Sequence, residues 1–122
     1  MPECDGSKPR YDLEKRTKIF AISVRQFIAE LPKSISNIED CKQLARATGS
    51  VAANYIEANE SLSKKDFCMR IKISRKEAKE CRLFLELIRI NDKGLEAKRQ
   101  ILLKEATEIL LILSSIHQKV CV

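Results

Sequence analysis

Four long stretches of this chain carry apolar residues at spacings of three, four and seven, and each is closed by a stop signal. That recurrence is the period of one face of an α-helix, whereas side chains on a strand alternate with a period of two. The first stretch runs from Leu13, capped by Asp12, to Leu31, with Leu13, Phe20, Val24, Phe27 and Leu31 on one face. Pro32 ends it, because proline has no N–H and its ring clashes with the preceding turn. The second opens on Ser36-Asn37-Ile38-Glu39, where a hydroxyl and a carboxylate can satisfy two orphan N–H groups reciprocally. It continues through Ile38, Cys41, Ala45, Thr48, Ala52 and Tyr55 to Asn59. Ser63, with Asp66 three residues on, starts a third helix carrying Phe67, Ile71, Ser74, Ala78, Cys81, Leu85 and Ile88. The polar run Asn91-Asp92-Lys93-Gly94 is turn chemistry, and the fourth helix follows with Leu95, Leu102, Ala106, Ile109, Leu113, Ile116 and Val120.

Connections of about four residues force neighbouring helices to run antiparallel. The expected fold is therefore all-α, an antiparallel up-down-up-down four-helix bundle. Residues 1–10 lack periodicity and read as a flexible lead-in, and residues 11–122 as one bundle domain. Three glycines and three prolines are too few for the many tight turns of an all-β domain. A chain of 122 residues is also long enough to bury one continuous core without staples.

The five cysteines, Cys4, Cys41, Cys68, Cys81 and Cys121, are odd in number and form no CxxC pair. No charged region followed by an apolar stretch opens the sequence, so no export signal is expected, and the longest aliphatic run, Ile109 to Leu113, is far short of the roughly 20 residues that span a membrane. These features imply reduced thiols, a cytoplasmic protein and no membrane partner.

Apolar residues outnumber what one core needs. Ile101, Leu103, Leu110, Leu111 and Ile112 lie off the main stripe of the fourth helix, and Met69, Ile73, Leu83, Leu87 and Ile90 off that of the third. Surplus stripes of this kind mark a second contact surface, here a homo-oligomer. The second helix is small-faced around Gly49, which costs about 1 kcal/mol relative to alanine. Close approach by another helix is the expected compensation.

The charge is uneven. Of the chain's net +6, a net +5 falls between Lys64 and Arg82. Lys65, Lys72, Lys76 and Lys79 share one helix face, flanked by Arg75 and Arg82. Such a ridge matches the repeating phosphates of RNA or DNA, with binding driven by counterion release. It equally suits a solvated face or an acidic protein. Base reading is not expected, because Phe20, Phe27, Tyr55 and Phe67 fall on core stripes and Phe84 beside one, leaving no stacking platform.

A second, polar set comprises Ser50, Asn54 and Glu57 on helix two and Ser74, Glu77 and Glu80 on helix three. Structural hydrogen bonding between helices or subunits is the favoured reading. A di-iron centre requires Glu-x-x-His, but His117 has Ser114 three residues before it, so no metal or other cofactor is expected. No phosphate loop, nucleophile elbow or HExxH appears, and the chain reads as a non-enzyme.

The stretch Ser50-Val51-Ala52-Ala53-Asn54-Tyr55-Ile56-Glu57-Ala58-Asn59-Glu60, with Ser63-Lys64-Lys65-Asp66-Phe67, resembles a known family. So does Lys72-Ile73-Ser74-Arg75-Lys76-Glu77-Ala78-Lys79-Glu80-Cys81, followed by Phe84-Leu85-Glu86-Leu87-Ile88. These are similar to the bacterial four-helix-bundle proteins encoded in intervening sequences of 23S ribosomal RNA genes. They are also similar to the accessory variability determinant of diversity-generating retroelements. Phe84 departs from the pattern, which has tryptophan there. The resemblance implies a homopentameric ring with a basic surface, and in the retroelement relatives that ring binds a reverse transcriptase and nucleic acid. It places Ser50, Asn54, Glu57, Ser74, Glu77 and Glu80 at the signature polar positions, and Lys65, Lys72, Arg75, Lys76 and Lys79 on the basic surface.

The expected function is thus a non-enzymatic oligomeric bundle that binds RNA or DNA independently of sequence. The alternative is an interaction adaptor that docks an acidic partner or a polymerase.

Overall fold

The computed structural model describes residues 9–122, with side chains from Leu13 onward. Four helices follow one another: α1 (Pro9–Ala29), α2 (Ile35–Asn59), α3 (Lys64–Leu87) and α4 (Lys93–Cys121). Each packs against its neighbours in the order α1–α2–α3–α4–α1, and among the described residues the diagonal pairs stay farther apart. This is the antiparallel up-down-up-down bundle expected from short connections. The core runs the length of the bundle, and Val24, Leu44, Val51, Ile71, Cys81, Leu85 and Leu113 within it are fully excluded from solvent.

The helix starts differ from the sequence expectation in three places. Helix α1 begins at Pro9, so Asp12 lies inside it, and of the proposed lead-in residues 1–8 fall outside the described residues. Proline is tolerated at that first position because the N–H it lacks would have no helical acceptor. Helix α2 is capped by Ser34, whose side chain accepts from the Asn37 N–H at 3.2 Å, so the Ser36 capping box does not form. Helix α4 begins at Lys93 behind Asp92, whose Oδ1 accepts from the Leu95 N–H at 2.9 Å. Gly94 therefore belongs to a first turn rather than to a loop, and a Cβ there would lie 3.1 Å from that same capping oxygen. The Ser63 cap of α3 forms as expected, accepting from the Asp66 N–H at 3.1 Å.

The α1 stripe is buried throughout, as are the central positions of α3 and α4. On α2 the core phase is one residue away from the expected one at several turns. Asn37, Leu44, Val51 and Ala58 are buried, while Ile38 is exposed and Ala45, Ala52 and Asn59 are only half-covered. Leucine and valine bury more apolar area than alanine, so the rotation that turns them inward is favoured. Leu110, expected on a surplus stripe, is also part of the core.

Gly49 does not serve a close helix approach. The Arg25 side chain of α1 lies over it, with Nη1 donating to Ala21 O and Thr48 Oγ1 and Nη2 to Ala45 O. A Cβ on Gly49 would meet Arg25 Nη2 at 3.6 Å, an ordinary contact. Gly49→Ala should therefore stabilise the bundle by about 0.5–1 kcal/mol in urea denaturation. A loss of stability would show that the arginine needs the open backbone.

The thiol expectation is corrected for two residues. Cys68 near the start of α3 and Cys121 at the end of α4 form a disulfide, with Cα atoms 5.8 Å apart. Cys41 and Cys81 are free and buried, and Cys4 lies outside the described residues. Burial raises both free thiols, with the Glu77 and Glu80 carboxylates adding to the effect at Cys81, which is pushed up to about 12. Folding thus favours neutral Cys81. Its contribution is complete below its ordinary value of 9.0 and is lost as pH rises from there toward about 12. Denaturation midpoints measured between pH 8 and 11 should fall less steeply for Cys81→Ala than for the parent, and parallel curves would contradict this.

Candidate nucleic-acid interface

Helix α3 presents the basic ridge because its opposite stripe, Ile71, Ser74, Ala78, Cys81 and Leu85, is held in the core. That phase leaves Lys65, Lys72, Lys76 and Lys79 exposed, with Arg75 half-buried beside them. No described carboxylate pairs with Lys65, Lys72, Arg75 or Lys79. Lys76 is different: its Nζ lies 3.7 Å from both Glu77 Oε2 and Glu80 Oε2. Arg82 is half-buried, and its Nε is enclosed without a hydrogen-bond partner among the described residues. The ridge is therefore narrower than its sequence suggests. Lys72, Arg75, Lys76 and Lys79 also rim a shallow groove with Met69 and Ile73 as its apolar part.

The polar set lies mainly along the α2–α3 seam. Ser74 Oγ is buried and donates to the Val51 carbonyl at 2.8 Å, fixing the two helices in register. Asn54 donates to the Ser50 carbonyl and hydroxyl within α2, and its Oδ1 accepts from Arg70 of α3 at 3.1 Å. Glu77 is buried, and Arg46 of α2, a residue that sequence reasoning missed, reaches it. The guanidinium lies 3.2 Å from Glu77 as an ion pair and donates to Glu80 at 2.8 Å. Desolvation opposes the Arg46 charge, but its two carboxylate partners outweigh that effect and raise its pKa. Glu57 faces solvent away from this network; its carbonyl accepts from the Ser61 hydroxyl. Arg46 and Lys76 thereby neutralise the Glu77 and Glu80 carboxylates. Among the described residues no cluster of His, Cys, Asp or Glu could hold a metal ion.

Two more contacts set the bundle ends. Asn37, buried at the start of α2, donates to Pro32 O and Arg89 O at 3.0 Å each and accepts from the Arg89 N–H at 2.9 Å. One side chain thereby ties the α1–α2 connection to the α3–α4 connection. Arg99 of α4 donates to the carbonyls of Leu85 and Ile88, closing the end of α3 where carbonyls lack helical partners. Its Glu96 partner is held below the usual carboxylate range by hydrogen bonds from Arg99 and Gln100. Neither role leaves a periodic trace, although a polar residue in a core phase, as Asn37 is, can be sought once the phase is known.

A second surface is apolar. Ile19 of α1 and Ile101 of α4 remain exposed, at 51% and 68%, and line one groove along the α1–α4 seam. Met69, Leu83 and Leu87 are likewise about half exposed on α3. No described helix is long and apolar enough to cross a membrane.

No curated protein matches the chain. A solved structure described as a protein of unknown function from the S23 ribosomal protein family of Bacteroides thetaiotaomicron superimposes with a TM-score of 0.70. It is 26% identical, and the match covers 85% of this chain and 96% of that one. The family model for the 23S rRNA-intervening sequence protein matches residues 10–115, which takes in α2 and α3 whole, most of α1 and α4, the basic ridge and the α2–α3 seam. The chain is a member of the 23S rRNA-intervening sequence protein family.

Proposed function

We propose that this protein is a non-enzymatic, cytoplasmic helical bundle that self-associates and binds the backbone of RNA or DNA through α3. The observation that carries the reading is the cationic ridge of Lys65, Lys72, Arg75 and Lys79, which no described carboxylate pairs, beside a seam where other charges are neutralised. Phosphate contacts need cations free to replace counterions, and paired Lys76 contributes less. The exposed isoleucines of the α1–α4 seam support association, and the homopentamer implied by the family resemblance would multiply the ridge around a ring.

The test measures binding to duplex and single-stranded RNA across a salt series, with the subunit number read by light scattering. Replacing Lys65, Lys72 and Lys79 by Glu should weaken all sequences alike, by roughly 100-fold or more near 0.1 M salt, and flatten the salt slope by about 2–3. Absence of binding at low salt overturns the reading. A strictly monomeric protein removes the ring.

The apolar groove between the ridge cations favours a second reading, an adaptor for an acidic partner. Phosphates alone have no use for Met69 and Ile73, whereas an acidic amphipathic helix would cover them. Capture of a polymerase-type partner that survives nuclease, without direct nucleic-acid affinity, selects this reading.

A further inference from the structure

We infer that the Cys68–Cys121 disulfide is a reversible clasp on the last turn of α4, opened by a dithiol. The bond joins residues 53 positions apart at the end of the bundle opposite Asn37. It is half-exposed, so a reductant can reach it, whereas Cys41 and Cys81 are buried. Among the described residues the last turn has few other contacts to hold it. Gln118, Lys119 and Val120 are exposed, and Val122 beyond the helix is 82% exposed. Val120 and Ile116 meet Phe67, the neighbour of Cys68, across a pocket between the end of α4 and the start of α3. With the bond made, that wall is covalently fixed.

The chemistry of Cys68 favours exchange. It lies in the second turn of α3, one turn from the exposed lysines that open the helix. Helical spacing also places Lys64, Lys65 and Lys72 on its side of α3, at four and three residues before it and four after. A thiolate in such surroundings is a good leaving group. In the exchange, one thiolate of the dithiol attacks Cys121 Sγ, the S–S bond breaks, and Cys68 leaves as thiolate and takes up a proton. The second thiol of the reagent then attacks the mixed disulfide, releasing Cys121 as a thiol and closing the reagent's own disulfide. Two electrons and two protons pass to the protein.

The experiment uses the full chain equilibrated in graded ratios of reduced to oxidised dithiothreitol. Peptide-resolved alkylation reads the state of each cysteine, and hydrogen exchange reads each helix. On reduction, amides of residues 117–121 should exchange about tenfold faster or more than before, while the bundle stays folded and the central turns of α2 and α3 remain its most protected part. Cys121→Ser should reproduce the reduced pattern under both conditions. The inference is overturned by unchanged exchange in the last turn of α4, or by collapse of the whole bundle on reduction, which would make the bond a staple. It is also overturned if Cys68 and Cys121 remain unlinked even in oxidised reagent. None of these outcomes depends on nucleic-acid binding.

Discussion

Replacing Cys121 by serine is expected to lower the unfolding free energy by about 4 kcal/mol. The bond closes a loop of 53 residues, and chain-entropy reasoning assigns about that much to the freedom it removes from the unfolded chain. The effect arises mainly in the unfolded state, so the native core need not change, and the last turn of α4 can open while the bundle stays folded. Urea denaturation of Cys121→Ser, and of the parent with and without reductant, checks it. The two ways of losing the bond should agree, and a difference under about 1 kcal/mol between linked and unlinked protein would contradict the loop argument.

Asn37→Ala should destabilise the bundle by roughly 2–4 kcal/mol. The side chain is 1% exposed and makes three hydrogen bonds to two different connections. Truncation leaves Pro32 O, Arg89 O and the Arg89 N–H without this partner, and each buried group so stranded costs about 1–3 kcal/mol. Arg89 itself is exposed, so water recovers part of the loss, which keeps the figure below the simple sum. Asn37→Asp separates donor from acceptor: the carboxylate still accepts from the Arg89 N–H but faces two carbonyls it cannot serve. At neutral pH it should be at least as damaging as alanine. A cost under 1 kcal/mol for Asn37→Ala would mean that the two connections hold their positions without it.

These two residues mark where sequence reading stopped. The alternation of Leu13, Phe20, Val24 and Phe27, or of Ile71, Ala78, Cys81 and Leu85, is a one-dimensional signal, because burying a helix face requires apolar side chains every three or four positions. On α2 the same signal was ambiguous. Alanines adjoin Leu44 and Val51 on the same turns, and only packing against α1 and α3 chose which residues turn inward. The exposed lysines of α3 were legible for the same reason as its core, since one face follows from the other. Which of them are free was not legible. Arg46, from a different helix, decides it by sharing Glu77 and Glu80 with Lys76.

The order of helices, their antiparallel course and the cationic side of α3 follow from periodicity and short connections, both properties of neighbouring residues. The Cys68–Cys121 bond, the Asn37 bridge between two connections, and the pairing of Arg46 with Glu77 join residues 53, 52 and 31 positions apart. No local pattern encodes such meetings. They exist only once the four helices have settled at particular rotations about their axes, and that choice is made by packing the whole core at once.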